Sequence, residues 1–550
     1  MNIFKSNLTK VNIQNIIVAL GFFAVCVATQ QMQTVSLNTG IIDLSRDITG
    51  IVMALILMTH YKWSDIIKYK IPYILWSVLG IVLGIIFTPM VIVERGEYRT
   101  ADTIIISVGI FLIGYCFIYT GINIFINKYR PRFYLPLFVI WIVMLILMIF
   151  SRSDNLWPEC YFILFLSFYL TEQTPEQRTN VIKGMLNGIV LAFVVIQAHA
   201  LLCRPYDRVR YCGNFCNPNN NAIFLCICLS AIFSKILFLI KENGKKVVKV
   251  FYFLLAGVCY SFIFMTASRS GYLTVFIVTI FFLLAYCRVT EKKVFIKMGA
   301  LLVLIFVTLM PITYLAVRYI PTIHPHVLFY FQEGYSEQRV HSWDDRNSSK
   351  YITFTELMNS VLGRFGAANP QQDALNEEKT TEAELASRPI ESVNDDFSDA
   401  VPSENETKVE ILETDPDKIP VLSDEEAKSA IKVRYTIYKW YFTHLSLRGM
   451  PNDEQGFQLA KGYWVGHAHD IYLDYGINYG YPVMILFIIF IWWGIGRLAK
   501  YGLRIQSAEK LSCLLIALVS PIFGLFEFAW GAGMISTVAL YFTFREMFNN

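Results

Sequence analysis

KENGKKVVKVFYFLLAGVCYSFIFMTASRSGYLTVFIVTIFFLLAYCRVTEKK, residues 241 to 293, decides the fold. Two apolar runs, near 248–266 and 271–287, are separated by the turn TASRS and bracketed by lysine-rich loops. Each run has the length needed to cross a hydrocarbon layer of roughly 30 Å as a helix. Apolar residues cover every side of such helices, whereas a transmembrane barrel strand alternates, so a barrel is excluded.

The same pattern recurs outward in both directions. The chain has 550 residues, 55% apolar and only 16% charged, a balance outside that of soluble domains. We read an all-α polytopic membrane protein of about 12–14 transmembrane helices. The expected spans lie near 16–36, 44–60, 71–92, 104–126, 134–150, 159–171, 181–202, 220–240, 248–266, 271–287, 296–317, 478–497, 511–527 and 532–546. Lys5 and Lys10 precede the first span and no cleavage site follows it, so it is expected to stay. The loops YKWSDIIKYK, NKYRPRF, KENGKKVVK, RVTEKKVFIK and KYGLRIQSAEK then share one side with both termini, and the positive-inside bias makes that side cytoplasmic.

Four regions follow. Residues 1–203 are N-terminal transmembrane helices, and 204–317 are central ones with arginine-bearing outer loops. Residues 318–477 form a large extracytoplasmic loop before the last three spans, and 478–550 are those spans. Within the loop, about 369–428 carries 18 acidic against 5 basic side chains and almost no aromatics, too little apolar surface to order itself. The aromatic flanks VLFYFQ (327–332) and YTIYKWYFTHL (435–445) are expected to pack as an outer cap. Most of the eleven cysteines sit in apolar runs as small hydrophobes, and only Cys203, Cys212 and Cys216 share a loop, where a disulfide or metal site is one reading.

Four groups near outer span ends are the candidates for chemistry: Arg210, Arg269, Arg434 and His469. Arg269 lies in a very short turn at the membrane surface, where an ionisable group is costly without a partner. It either snorkels or caps a helix end, or it joins other arginines on a diphosphate, which guanidinium grips bidentately. His469 stands in GHAHDIYLDYGINYGYP (466–482), with Asp470 beside it placed to cap a helix. It is either a structural hydrogen-bonder or a base for a sugar hydroxyl. HPH (324–326), HAHD (467–470) and DPD (415–417) are weak metal signatures, and no metal or nucleotide cofactor is expected. In GNFCNPNNNA (213–222), Asn219, Asn220 or Asn221 is expected to cap the next span after Pro218, with a binding role secondary.

Four matches in order make the chain resemble the O-antigen ligase and polymerase superfamily, bacterial membrane glycosyltransferases that use undecaprenyl-diphosphate-linked glycans. They are RVRYCGNFCNPNNNA, TASRSGYLT, IKVRYTIYKWYF and the 466–482 stretch, together covering roughly 205–485. In the last, His469 and Gly480 keep the family's spacing, while Asp470 and Val483 depart from its pattern; LSLRGMPND (445–453) reduces its glycine-rich segment. The resemblance implies that Arg210, Arg269 and Arg434 bind the diphosphate of a polyprenyl-diphosphate-linked donor. It implies that His469 activates the acceptor hydroxyl, with His467, Asp470 and Gly480 in support. Transfer would invert the anomeric centre without metal, outside the cytoplasmic membrane of a bacterial cell, to a glycan or lipid-linked acceptor. The implied partners are that donor, that acceptor and the bilayer, with no nucleic acid. The same arginines would suit a lipid-linked oligosaccharide flippase, but the chain shows no internal repeat and its charges gather at one face rather than at mid-depth.

Overall fold

The computed structural model describes residues 10–33, 51–130, 133–153, 170–171, 173–202, 206–207, 210–215, 218–320, 354–364, 430–451, 454–460, 463–527 and 535–548. Over these residues the protein is mostly helical. The labelled helices are α1 (Lys10–Gln33), α2 (Lys70–Gly121), α3 (Leu135–Ile149), α4 (Pro175–Leu202), α5 (Pro218–Lys241), α6 (Lys246–Met265) and α7 (Arg269–Thr290). After them come α8 (Phe295–Tyr319), α9 (Phe354–Arg364), α10 (Ala430–Thr443), α11 (Ile471–Tyr479), α12 (Tyr481–Ile505), α13 (Ala508–Phe523) and α14 (Ile535–Phe548). Six of these, α4 to α8 and α12, are long and apolar enough to cross a membrane. Two small antiparallel hairpins, β1 (Tyr206–Asp207) with β2 (Arg210–Tyr211) and β3 (Phe457–Ala460) with β4 (Tyr463–Val465), lie between helices.

Helix α5 is the axis of the bundle. From Asn221 to Ser234 every residue is buried, as expected of a helix that is apolar all round. It packs against α4, α6, α7, α13 and α14. The closest pairing elsewhere is α1 on α4, and small residues permit it. Gly184 and Gly188 are four apart on α4, facing α1. A Cβ at Gly184 would meet Val18 Cβ at 2.7 Å and the Asn15 carbonyl at 2.8 Å, and one at Gly188 would fall on the Ala19 carbonyl. This glycine pair lets the backbones approach as in a membrane helix dimer. Polar groups then bridge the gap: Asn187 Nδ2 donates to Asn15 Oδ1 at 3.1 Å, and Lys235 Nζ of α5 donates to Asn187 Oδ1 at 2.7 Å.

The segments expected as spans near 71–92 and 104–126 both fall in α2 and lie side by side: Trp76 Nε1 donates to the Phe111 carbonyl at 3.0 Å, where a straight helix would hold the two residues about 50 Å apart, so α2 doubles back between them. Two sequence expectations change. The span expected to stop at 497 continues as α12 to Ile505. Arg497 ends the hydropathic run but not the helix, because its guanidinium lies over the Tyr134 ring at 3.5 Å and donates to the Met547 carbonyl at 3.1 Å. Secondly, the span expected near 220–240 begins at Pro218, so Asn219, Asn220 and Asn221 are all inside the helix and none is its cap. The expected span 159–171 falls almost wholly outside the described residues, as do Cys203, Cys216, HPH, DPD, VLFYFQ and the acidic insert; Cys212 is buried.

Gly188→Val should separate α1 from α4, with a fall in melting temperature of several degrees in detergent. An unchanged melting curve would remove the glycine contact from the account.

Candidate functional site

One end of the bundle gathers the ends of α4, α6 and α13 and the starts of α5, α7 and α11. On the β1–β2 hairpin, neighbouring side chains point to opposite faces. Tyr211 takes the inner face, its ring stacked on Phe262 at 4.9 Å and its hydroxyl bonded to Gln197. Arg210 therefore takes the other face. Its Nε donates to the Thr266 carbonyl at 2.9 Å and its Nη2 to Asn219 Oδ1 at 2.8 Å.

Asn219 passes the connection on, donating from Nδ2 to Glu527 Oε1 at 2.9 Å. Arg434, on α10, donates from Nη2 to the same oxygen at 2.7 Å and from Nη1 to the Phe526 carbonyl. The second oxygen, Oε2, faces His469 Nδ1 at 3.7 Å, an ion-pair distance too long for a hydrogen bond. One carboxylate thus serves an amide, a guanidinium and an imidazole. Burial alone would raise Glu527, but its contacts with His469 and Arg434 outweigh that and hold it below the ordinary carboxylate range. Burial likewise pulls Arg434 down, yet the Glu527 charge and bond prevail and its pKa is raised.

The histidine turn is built by two other carboxylates. Asp470 caps α11, accepting from the backbone N–H groups of Tyr472 and Leu473, both at 2.9 Å. Asp474, buried within α11, accepts from Ala468 N–H at 2.8 Å. Between these anchors His469 adopts a left-handed φ of 52°, uncommon for a side chain other than Gly or Asn. Its ring sits 4.0 Å from that of His467, centre to centre. His467 reaches the surface, yet burial of its ring, with His469 and Arg434 nearby, pushes its pKa down to about 4 and leaves it neutral near pH 7.

The turn is fastened to α13 as well. Ile471 N–H donates to the Gly524 carbonyl at 2.8 Å, and a Cβ at Gly524 would meet Ile471 Cγ2 at 2.5 Å. Because Glu527 is three residues beyond Gly524, this contact is what sets Glu527 opposite His469. Gly480, at φ 97°, is the corner between α11 and α12, and a Cβ there would strike the Leu447 carbonyl. The reduced segment LSLRGMPND docks on that corner, with Tyr481 N–H donating to the Ser446 carbonyl at 2.9 Å and Met450 N–H to the Ile477 carbonyl at 2.7 Å.

The structure therefore brings Arg210, Arg434 and His469 together. Arg269 is exposed as the first residue of α7, after the Ser268 cap. Asp470 and Gly480 shape the backbone. Glu527 was missed by the sequence reading, which named Asn219 as one of three possible helix caps with a binding role secondary. Glu527 did leave a signal: it is the only acidic residue between Glu509 and Glu546, inside the apolar run FGLFEFAWG (523–531), where a lone ionisable group marks a site. Among the described residues no group of three or more His, Cys, Asp or Glu is placed to hold a metal ion.

Burial, opposed by the Ala468 bond and aided by Asp470, raises Asp474 from 3.8 to about 7. A carboxyl that ionises later in the folded chain than in the unfolded one costs stability as pH rises through that interval. Asp474→Asn keeps the Ala468 bond and removes the charge. Its melting temperature should exceed that of wild type near pH 8, with the gap narrowing as pH falls below about 7 and closing only near 3.8; a gap independent of pH would count against the assignment. No family model, curated protein or solved structure matches this chain.

Proposed function

We propose that this end of the bundle is the active site of a membrane glycosyltransferase. It would transfer a glycan from a polyprenyl-diphosphate carrier to an acceptor hydroxyl, as O-antigen ligases and polymerases do. The observation that carries the reading is the Glu527 link between His469 and two arginines from separate outer segments, at the end of a bundle of apolar helices. Arg210 and Arg434 would meet the diphosphate, which guanidinium recognises through paired N–H donors. The exposed Arg269 would join them when the donor is bound.

His469 would be the base. With Nδ1 turned to Glu527, the ring presents Nε2 to an acceptor hydroxyl, and the carboxylate charge stabilises the imidazolium that forms. The hydroxyl oxygen attacks the anomeric carbon, the bond to the diphosphate breaks, and the carrier diphosphate leaves with the bonding pair. Attack opposite the leaving group inverts the configuration. His467, being neutral, adds no competing positive charge beside His469. On this reading the chain has about 12–14 spans, lies in a bacterial cytoplasmic membrane with both termini cytoplasmic, and carries its large loop and site outside.

The test is transfer from a synthetic polyprenyl-diphosphate oligosaccharide by the purified full chain, with EDTA and without nucleotide. His469→Ala and Glu527→Gln should each lower turnover by about 10²-fold or more while the protein stays inserted and monodisperse. Arg269→Lys should raise KM, because a point charge replaces the bidentate fork. Wild-type turnover in His469→Ala would refute the base. Absence of transfer by wild type, with the lipid instead moved across a vesicle bilayer, would make the protein a transporter.

A further inference from the structure

Helix α10 carries Arg434 toward the site, and another face of the helix is exposed. Lys432, Tyr435, Lys439 and Phe442 are all exposed, and their spacing places them within an arc of roughly 80°. Tyr435 and Phe442 are each 66% exposed, whereas Ile437 and Tyr441, on the opposite side, are buried. Two cations interleaved with two aromatic rings form the pattern of a helix lying in a headgroup layer.

The position of α10 agrees with that pattern. Its N-terminal half is bonded through Arg434 to the end of α13. Just past its C-terminal end, Ser446 holds the start of α12, and Arg448 donates from Nε and Nη2 to the Phe150 carbonyl at 3.0 and 2.8 Å, at the end of α3. The 14-residue helix and the segment that follows it are therefore tied to the ends of three bundle helices. The exposed apolar side of α3, Ile146, Ile149 and Phe150, ends at the carbonyl that Arg448 grips. Leu447, next in chain to Arg448, is itself 64% exposed. The surface that would face acyl chains thus continues without interruption to the foot of α10.

We propose that α10 is an interfacial helix that recognises anionic phospholipid: Lys432 and Lys439 meet headgroup phosphates while Tyr435, Phe442 and Leu447 enter the boundary with the acyl region. The two cations supply attraction to a negatively charged leaflet, and the aromatic rings fix depth. Because Arg434 is on another face of the same helix, headgroup composition sets where that arginine stands. This inference does not depend on which reaction the site performs.

The test uses the full chain in nanodiscs of phosphatidylcholine alone or mixed with phosphatidylglycerol. An environment-sensitive fluorescent amino acid at Phe442 reports its surroundings through two quenchers, aqueous iodide and a phosphatidylcholine carrying a shallow acyl-chain nitroxide. With phosphatidylglycerol present, nitroxide quenching should rise by roughly twofold or more and iodide quenching should fall. Lys432→Gln with Lys439→Gln should abolish the dependence on phosphatidylglycerol while leaving the probe's response in pure phosphatidylcholine unchanged, which also shows that the variant is folded. Strong iodide quenching in both compositions would overturn the proposal. So would shielding from both quenchers, which would mean that protein covers the face.

Discussion

One end of the bundle is organised around a single half-buried carboxylate with three side-chain partners. Glu527 accepts from Asn219 and Arg434 through one oxygen and faces His469 with the other. A charge in such a place is tolerated only while its partners stay. Four segments far apart in sequence, the hairpin with Arg210, the start of α5, helix α10 and the turn before α11, are held in register by that requirement. The same requirement keeps the His469 imidazole turned toward the carboxylate.

Backbone geometry brings the segments close enough for this to matter. The turn containing His467 and His469 is fixed at two points by the carboxylates of Asp470 and Asp474 and at a third by the Ile471 bond to Gly524. Glycine is needed at Gly524 and Gly480 because neighbouring carbonyls and a side chain occupy the space of a Cβ. A left-handed histidine between two carboxylate anchors is a local cost that the surrounding bonds sustain, a common arrangement at sites that hold a side chain in one direction. The docked segment LSLRGMPND does the remaining positioning, joining the corner of α11 and α12 to the end of α3 through Arg448.

Deeper in the bundle, packing follows the rule for helices surrounded by apolar matter: small residues set distance and polar residues set register. The pair Gly184 and Gly188 lets α1 reach α4, and Asn15, Asn187 and Lys235 link α1, α4 and α5 in a chain of bonds. Arg497 shows the limit of hydropathy, since a cation that ends an apolar run in the sequence is accommodated here by an aromatic ring and a carbonyl.

The sequence by itself determined the class of the fold, because long apolar runs bounded by charged turns have no stable form but helices packed together. It also determined which residues of the outer loops were candidates, since arginine and histidine at the ends of apolar runs are costly and therefore informative; Arg210, Arg434 and His469 were legible for that reason. It showed the Asp470 cap, a contact between near neighbours. Only the tertiary structure made Asn219 a connector rather than a cap and Glu527 the shared partner. Each of these depends on contacts between residues tens to hundreds of positions apart, where periodicity and spacing carry no information and the packing of the bundle alone sets the distance.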